Sequence, residues 1–329
     1  MQTHPDTPTM QLPQAQAPRN PGMALDLDWV RAVQANTSAI ERRAKTLPGR
    51  RSVKKEFQAA WLCRAVSCMD LTTLSGDDTS GRVKRLCAKA RQPVRGDLLT
   101  AIGMEGLTVG AVCVYHEMIA PAVEALAGSG IPVAAVSTGF PAGLSPFDLR
   151  VQEIERSVAA GAAEIDIVIS RRHVLQGNWQ ALYDEMCAFR AACGVAHVKA
   201  ILATGELGSL RNVARASVIC MMAGADFIKT STGKESVNAT LPVTLVMLRA
   251  IRDYHARTGF RVGYKPAGGI SKVKDALVYL AMIKEELGDK WLRPELFRFG
   301  ASSLLGDIER QLEHHVSGAY SAGWRHAAG

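Results

Sequence analysis

The chain has 329 residues, 47% hydrophobic and 21% charged, the profile of an ordinary globular protein. No apolar run approaches the roughly 18 residues that span a bilayer, and the N-terminal stretch has no apolar core, so no membrane span or secretory signal is expected and the expected location is cytoplasmic. The net charge is +8, with a surplus of five positive charges between Glu41 and Glu56; that segment has neither the interleaved aromatics nor a module that would mark a nucleic-acid partner, and none is expected.

Residues 1–24 carry five prolines among the first 21 positions, mixed with Gln and Thr, and read as a disordered tail. Residues 25–55 read as a basic N-terminal helical extension, 56–316 as the folded domain and 317–329 as a C-terminal tail. Within the domain, short apolar runs alternate with helical stretches. The runs are 66–72, 110–116, 132–138, 164–170, 197–204, 225–231, 261–267 and 295–301, and helices are expected at 150–160, 178–193, 209–223, 240–257 and 272–287. Most runs are nearly continuous in Val, Ile, Ala and Leu, as strands buried on both faces are. The spacing of about 30 residues is that of a βαβ unit. Eight such units predict an α/β (β/α)8 TIM barrel; an open doubly wound sheet would carry a G-x-G-x-x-G near its first strand, and none is present.

Seven cysteines make an odd count with no C-x-x-C pair, and the eight histidines include no H-E-x-x-H, so reduced core thiols and a metal-free, cofactor-free site are expected. A barrel places its site at the C-terminal strand ends. Asp70 ends the first run, Asp166 and Lys199 lie inside the fourth and fifth, and Lys229 and Lys265 end the sixth and seventh. Two like charges in a partly desolvated mouth both disfavour the protonated form, so one amine is expected to have a lowered pKa. A neutral amine adds to carbonyls and forms a Schiff base, and two carboxylates beside it can move protons. Lys199 is expected to pair with Asp166 and orient it. Glu206 reads as a loop brace and Cys113 as a packed thiol.

Gly268 and Gly269, then Ser302 and Ser303, follow the last two runs, while Thr230, Thr232, Gly233 and Lys234 follow the sixth; together they read as a phosphate cradle. The "STGKES" stretch is not a P-loop, because position 228 is Ile and position 235 is Glu.

The motifs "DFIKTSTGK", "GYKPAGG", "MDLTTLSGDDT", "AVCVY", "EIDIVIS" and "FGASSLL" resemble those of the 2-deoxyribose-5-phosphate aldolases, class I aldolases built on a (β/α)8 barrel, over about residues 55–316. "STGFPAG", "ILATGELG" and "VMLRAIRD" are most similar to the longer, animal-type branch. The resemblance implies that Lys229 forms the Schiff base, that Lys265 perturbs it and transfers protons, and that Asp166 works with water as acid/base. Asp70 and Lys199 match polar residues around that relay, and Gly268, Gly269, Ser302 and Ser303 match phosphate-binding loops. It implies a sugar phosphate and an aldehyde as small-molecule partners, no cofactor and, at family level, a homodimer. Three departures are visible: Ser271-Lys272 stands where Arg followed by Ser or Thr is expected, Tyr264 replaces a Phe, and Tyr320 is the residue available for a C-terminal tyrosine role. The expected reaction is reversible cleavage of 2-deoxy-D-ribose 5-phosphate; the alternatives are an inactive sugar-phosphate-binding barrel and a nucleic-acid-associated protein using the 41–56 segment.

Overall fold

The computed structural model describes residues 18–50 and 52–326. Three helices precede the sheet: α1 (Leu27–Ala32), α2 (Thr37–Arg50) and α3 (Lys55–Ser67). The strands are β1 (Met69–Thr72), β2 (Ala111–Val114), β3 (Val133–Ser137), β4 (Glu164–Val168), β5 (His197–Ile201), β6 (Phe227–Lys229), β7 (Gly263–Lys265) and β8 (Phe299–Gly300). Helices α4 (Ser80–Arg91) and α5 (Gly96–Ala101) follow β1, α6 (Ile119–Leu126) follows β2, α7 (Phe147–Ala159) follows β3, and α8 (Arg171–Leu175) and α9 (Trp179–Ala192) follow β4. Then α10 (Leu210–Met222), α11 (Leu241–Thr258), α12 (Val273–Leu287) and α13 (Ser303–Ser317) follow β5 to β8 in turn.

Neighbouring strands pair in parallel from β7 round to β1 and on to β8. The bridges Tyr264↔Phe297 and Ala267↔Gly300 join β7 to the β8 side and close the barrel. Each predicted run contains one strand. The first is shorter than expected, because Val66 and Ser67 still belong to α3 and Cys68 ends it. The strands are buried on both faces, with the main core between the sheet and its ring of helices. Helix ends follow local chemistry: Thr240 caps α11 through Val243 N–H, and Gly259, at φ 76°, ends it in the left-handed conformation that glycine adopts freely.

The expected tail over residues 1–24 needs correction where it is described; residues 1–17 lie outside the described residues. Residues 18–24 are anchored to the barrel, not loose. Asn20 is fully buried, its backbone N–H donates to Asp226 Oδ1 at 2.6 Å, and its side-chain amide donates to the carbonyls of Met221 and Ala225. A buried amide with each donor satisfied fixes the chain despite its prolines. The basic extension is docked too: Arg43 of α2 pairs with Glu286 at 2.7 Å and Glu285 at 3.3 Å on α12, so part of its surplus charge is met within the fold. Among the described residues no helix is long and apolar enough to cross a membrane.

Candidate active site

Strand register gathers the predicted charged residues in the barrel lumen. Asp166 lies beside Lys199, and Lys229 beside Lys265. All five predicted residues, Asp70, Asp166, Lys199, Lys229 and Lys265, are buried, with Lys229 the most exposed at 3%. Asp166 is the hub: its Oδ1 accepts from Lys199 Nζ at 3.1 Å, and its Oδ2 accepts from both Lys229 Nζ and Lys265 Nζ at 2.8 Å. Lys265 also donates to Asp70, and Lys199 lies 3.4 Å from the same carboxylate. Lys199 therefore makes the expected pair with Asp166 but shares it with two further carboxylates.

Two members of this network were not anticipated. Glu164 accepts from Lys199, and Arg298 donates to Asp70 at 2.6 Å and to Glu164 at 2.8 Å. Room for the guanidinium comes from Gly110, where a Cβ would fall 2.9 Å from Ser67 O and 3.2 Å from Arg298 itself. The signal was in the sequence: Glu164 and Asp166 alternate with Ile165 and Ile167, and Arg298 sits between Phe297 and Phe299. At period two, each trio places its charge on the face opposite its apolar neighbours.

The cluster thus holds four cations (Lys199, Lys229, Lys265, Arg298) against three carboxylates (Asp70, Glu164, Asp166). Buried charge without a partner is costly, so balance is reached when one amine is neutral. Among the three lysines, Lys229 is the one whose pKa is lowered, toward that neutral form. Burial lowers its pKa and repulsion from Lys265 adds to this, against a single nearby carboxylate, Asp166. Burial acts on Lys265 in the same direction, but Asp166 and Asp70 outweigh it and its pKa is raised. Lys199 is likewise raised, against burial, by Asp166, Asp70 and Glu164. Burial works against ionisation of Asp166, yet Lys199, Lys229 and Lys265 hold it well below the usual carboxylate range.

A second, smaller apolar cluster lies beside the charges. Cys113, Ala134 and Val136 form a separate buried cluster, with Leu74, Tyr115 and Phe140 at its margin. Cys113 is a packed thiol whose pKa burial pushes up. Lys229 is buried beside Cys113 of this cluster, a low-dielectric setting that favours the neutral amine.

The predicted phosphate residues divide into two groups. Gly268 and Gly269 turn at φ 80° and 82°, a conformation for which glycine is suited, and Ser303 opens α13, whose N-terminus faces the same end of the barrel. Lys234 Nζ donates to Leu74 O at 3.0 Å across the mouth. In the other group, polar atoms are paired within the protein. The Thr230 hydroxyl accepts from Ala267 N–H at 3.0 Å, and the Ser302 hydroxyl pairs with the backbone of Thr72. The backbone N–H groups of Thr232 and Gly233 donate to the Glu235 carboxylate. Each is met because an unpaired polar group at a packed loop end would cost more than a crosslink.

Lys272 lines a cleft of about 590 Å³ between the extension and α12–α13, beside Lys54 and Lys274. Tyr264 is fully buried and donates to Thr244 Oγ1, so its hydroxyl is satisfied outside the lumen. Tyr320 does not reach the site: it is 64% exposed and stacks on His314 in the last turn of α13. Glu206 does brace a loop, pairing with Arg171 at 2.8 Å.

A model of the DeoC/LacD family of aldolases matches residues 64–308. A deoxyribose-phosphate aldolase of Bos taurus is 61% identical over 305 residues, covering 92% of this chain and 96% of the relative. The Homo sapiens deoxyribose-phosphate aldolase is 60% identical over 307 residues, with the same coverage of each chain. The solved deoxyribose phosphate aldolase of Aeropyrum pernix, described as tetrameric, superimposes with a TM-score of 0.58 at 19% identity over 87% of this chain and all of that one, a likeness of fold. With a lysine-rich charged lumen at the expected end of the barrel and relatives of this closeness along nearly its whole length, the chain belongs to the DeoC/LacD aldolase family.

Proposed function

We infer that the protein is a class I aldolase that cleaves 2-deoxy-D-ribose 5-phosphate to D-glyceraldehyde 3-phosphate and acetaldehyde, and that Lys229 is its nucleophile. The observation that carries the assignment is the charge balance of the lumen, which closes only with one neutral amine. Lys229 adds to the C1 aldehyde of the open-chain sugar. Lys265 supplies the proton with which the carbinolamine hydroxyl leaves as water, and a protonated imine remains. The imine now bears the charge that Lys265 has given up, so the cluster stays balanced while its positive charge moves onto the substrate and draws the C2–C3 bonding pair.

Lys265, now neutral, takes the proton of the C3 hydroxyl, directly or across a water, and glyceraldehyde 3-phosphate leaves. The same lysine returns that proton to C2 of the enamine, and hydrolysis frees acetaldehyde and Lys229. Asp166 orients both amines; held far below the carboxylate range, it is assigned an electrostatic task in place of the proton-carrying one implied by resemblance. Asp70 and Lys199 hold Lys265 and Asp166 in place. Lys234, the Gly268–Gly269 turn and the α13 N-terminus with Ser303 bind the phosphate, and this remote binding lowers the barrel's barrier at the reacting carbon.

Incubation with 2-deoxyribose 5-phosphate and borohydride, followed by peptide mapping, tests the assignment. A reduced adduct on Lys229, lost in Lys229→Ala, is expected. Folded protein that binds the sugar phosphate but forms no adduct would restore the inactive binding-barrel reading. A homodimer and a cytoplasmic location complete the proposal, to be checked by light scattering and by fractionation.

A further inference from the structure

The loop after β6 closes around one of its own side chains. Thr232 N–H donates to both oxygens of the Glu235 carboxylate at 3.0 Å, Gly233 N–H to Oε2 at 3.2 Å, and the Thr232 hydroxyl to the same oxygen at 2.8 Å. Thr232 Oγ1 in turn accepts from Lys234 N–H at 3.0 Å. A Thr followed three residues later by a Glu that reaches back to its N–H is half of a helix capping box. Here the next helix begins only at Leu241, so the pair shapes a loop.

Successive backbone N–H groups of this kind form a concavity that attracts anions. In this chain the concavity beside the phosphate end is already filled by a carboxylate. The same loop is tied to its neighbours. Asn238 Nδ2 donates to Glu235 O at 2.9 Å, and Asn238 packs over Gly268, where a Cβ would lie 2.6 Å from Asn238 Cγ. Ala239 N–H donates to Ala267 O. The position of Glu235 therefore bears on both Lys234 and the Gly268 turn.

We propose that Glu235 is a positioning residue of the phosphate pocket: its carboxylate fills the Thr232–Gly233 concavity, holds Lys234 and Gly268 in register, and confines the substrate's phosphate to Lys234, the Gly268–Gly269 turn and the start of α13. The proposal rests on the aldolase reading above. It makes affinity for the phosphorylated sugar, more than the chemical step, depend on a residue that never touches the substrate.

The test compares Glu235→Ala and Glu235→Gln with the unaltered protein, using 2-deoxyribose 5-phosphate and unphosphorylated 2-deoxyribose. For Glu235→Ala, KM for the phosphorylated sugar should rise about tenfold, the weight of one hydrogen bond to a charged group, while kcat changes less than about twofold. Glu235→Gln keeps one acceptor oxygen and should hold the rise to about threefold or less, and neither change should alter kcat/KM for 2-deoxyribose by more than about twofold.

An unchanged or lowered KM in Glu235→Ala would overturn the proposal, as would a fall in kcat shared equally by both sugars. Should Glu235→Ala fail to fold, Glu235→Gln decides: a KM raised by up to about threefold supports the proposal, and a KM equal to or below that of the unaltered protein overturns it. Reductive trapping of acetaldehyde by the unaltered protein separates the two levels. No adduct on Lys229 removes the aldolase reading itself, whereas an adduct with an unmoved KM removes this proposal alone.

Discussion

Replacing Lys265 with methionine should slow imine formation at neutral pH by returning the proton to Lys229. The two amines each lie 2.8 Å from the same oxygen of Asp166, so their nitrogens are at most 5.6 Å apart. At an effective dielectric of about 20, unit charges at that separation repel by about 3 kcal/mol. Methionine keeps the length of the side chain and removes the repulsion, and Asp166 Oδ2 is left to Lys229 alone. The charge count agrees: without Lys265 the lumen is balanced with Lys229 protonated. The neutral fraction at neutral pH should fall on the order of 100-fold. The assay is the rate of acetaldehyde trapping with cyanoborohydride as a function of pH. In Lys265→Met the rate at neutral pH should drop by that factor and recover as pH rises. A drop of equal size at every pH would place the role of Lys265 in geometry or proton transfer alone, and no drop at all would refute the electrostatic argument.

Three further outcomes follow from the same network and its supports. Arg298→Met leaves Asp70 and Glu164 without their guanidinium and should cost about 3–5 kcal/mol, a fall in Tm of about 10 °C. Both carboxylates have depressed pKa values, against burial, through their cationic neighbours. Their stabilising contribution is therefore present above the ordinary carboxylate range and lost as pH falls through the folded values, so the Tm gap should narrow in acid. Lys229→Met should abolish trapping yet melt about 3 °C higher at neutral pH, because a lysine whose pKa is lowered by folding penalises the folded state until pH rises through the interval up to its ordinary value. Asn20→Ala removes two buried amide donations, to Met221 O and Ala225 O, and should cost about 2–3 kcal/mol in urea denaturation.

The barrel was legible because most of its strands are nearly continuous apolar runs that repeat at a βαβ spacing, which few other folds require. The reacting lysines were legible for a narrower reason: Lys229 and Lys265 end their strands, where a barrel opens. Glu164 and Arg298 were missed because they sit nearer the starts of their runs than the residues weighed, although alternation with Ile165, Ile167, Phe297 and Phe299 places both in the lumen. The anchoring of residues 18–24 left no local trace, since the partners of Asn20 lie some 200 residues away along the chain. The loop at 232–235 was read for its donors alone; the glutamate that consumes them was used only to reject a P-loop, although its spacing from Thr232 was in plain view.

The central claim is that Lys229 is the one neutral amine among four basic side chains that face three carboxylates. Carbon NMR of lysine labelled at Cε, with Lys229 assigned by its loss in Lys229→Met, measures that directly. Lys229 should titrate below the ordinary lysine value while Lys199 and Lys265 stay protonated throughout. If Lys229 titrates at or above that value, or if Lys265 releases its proton first, the assignment of the nucleophile is wrong.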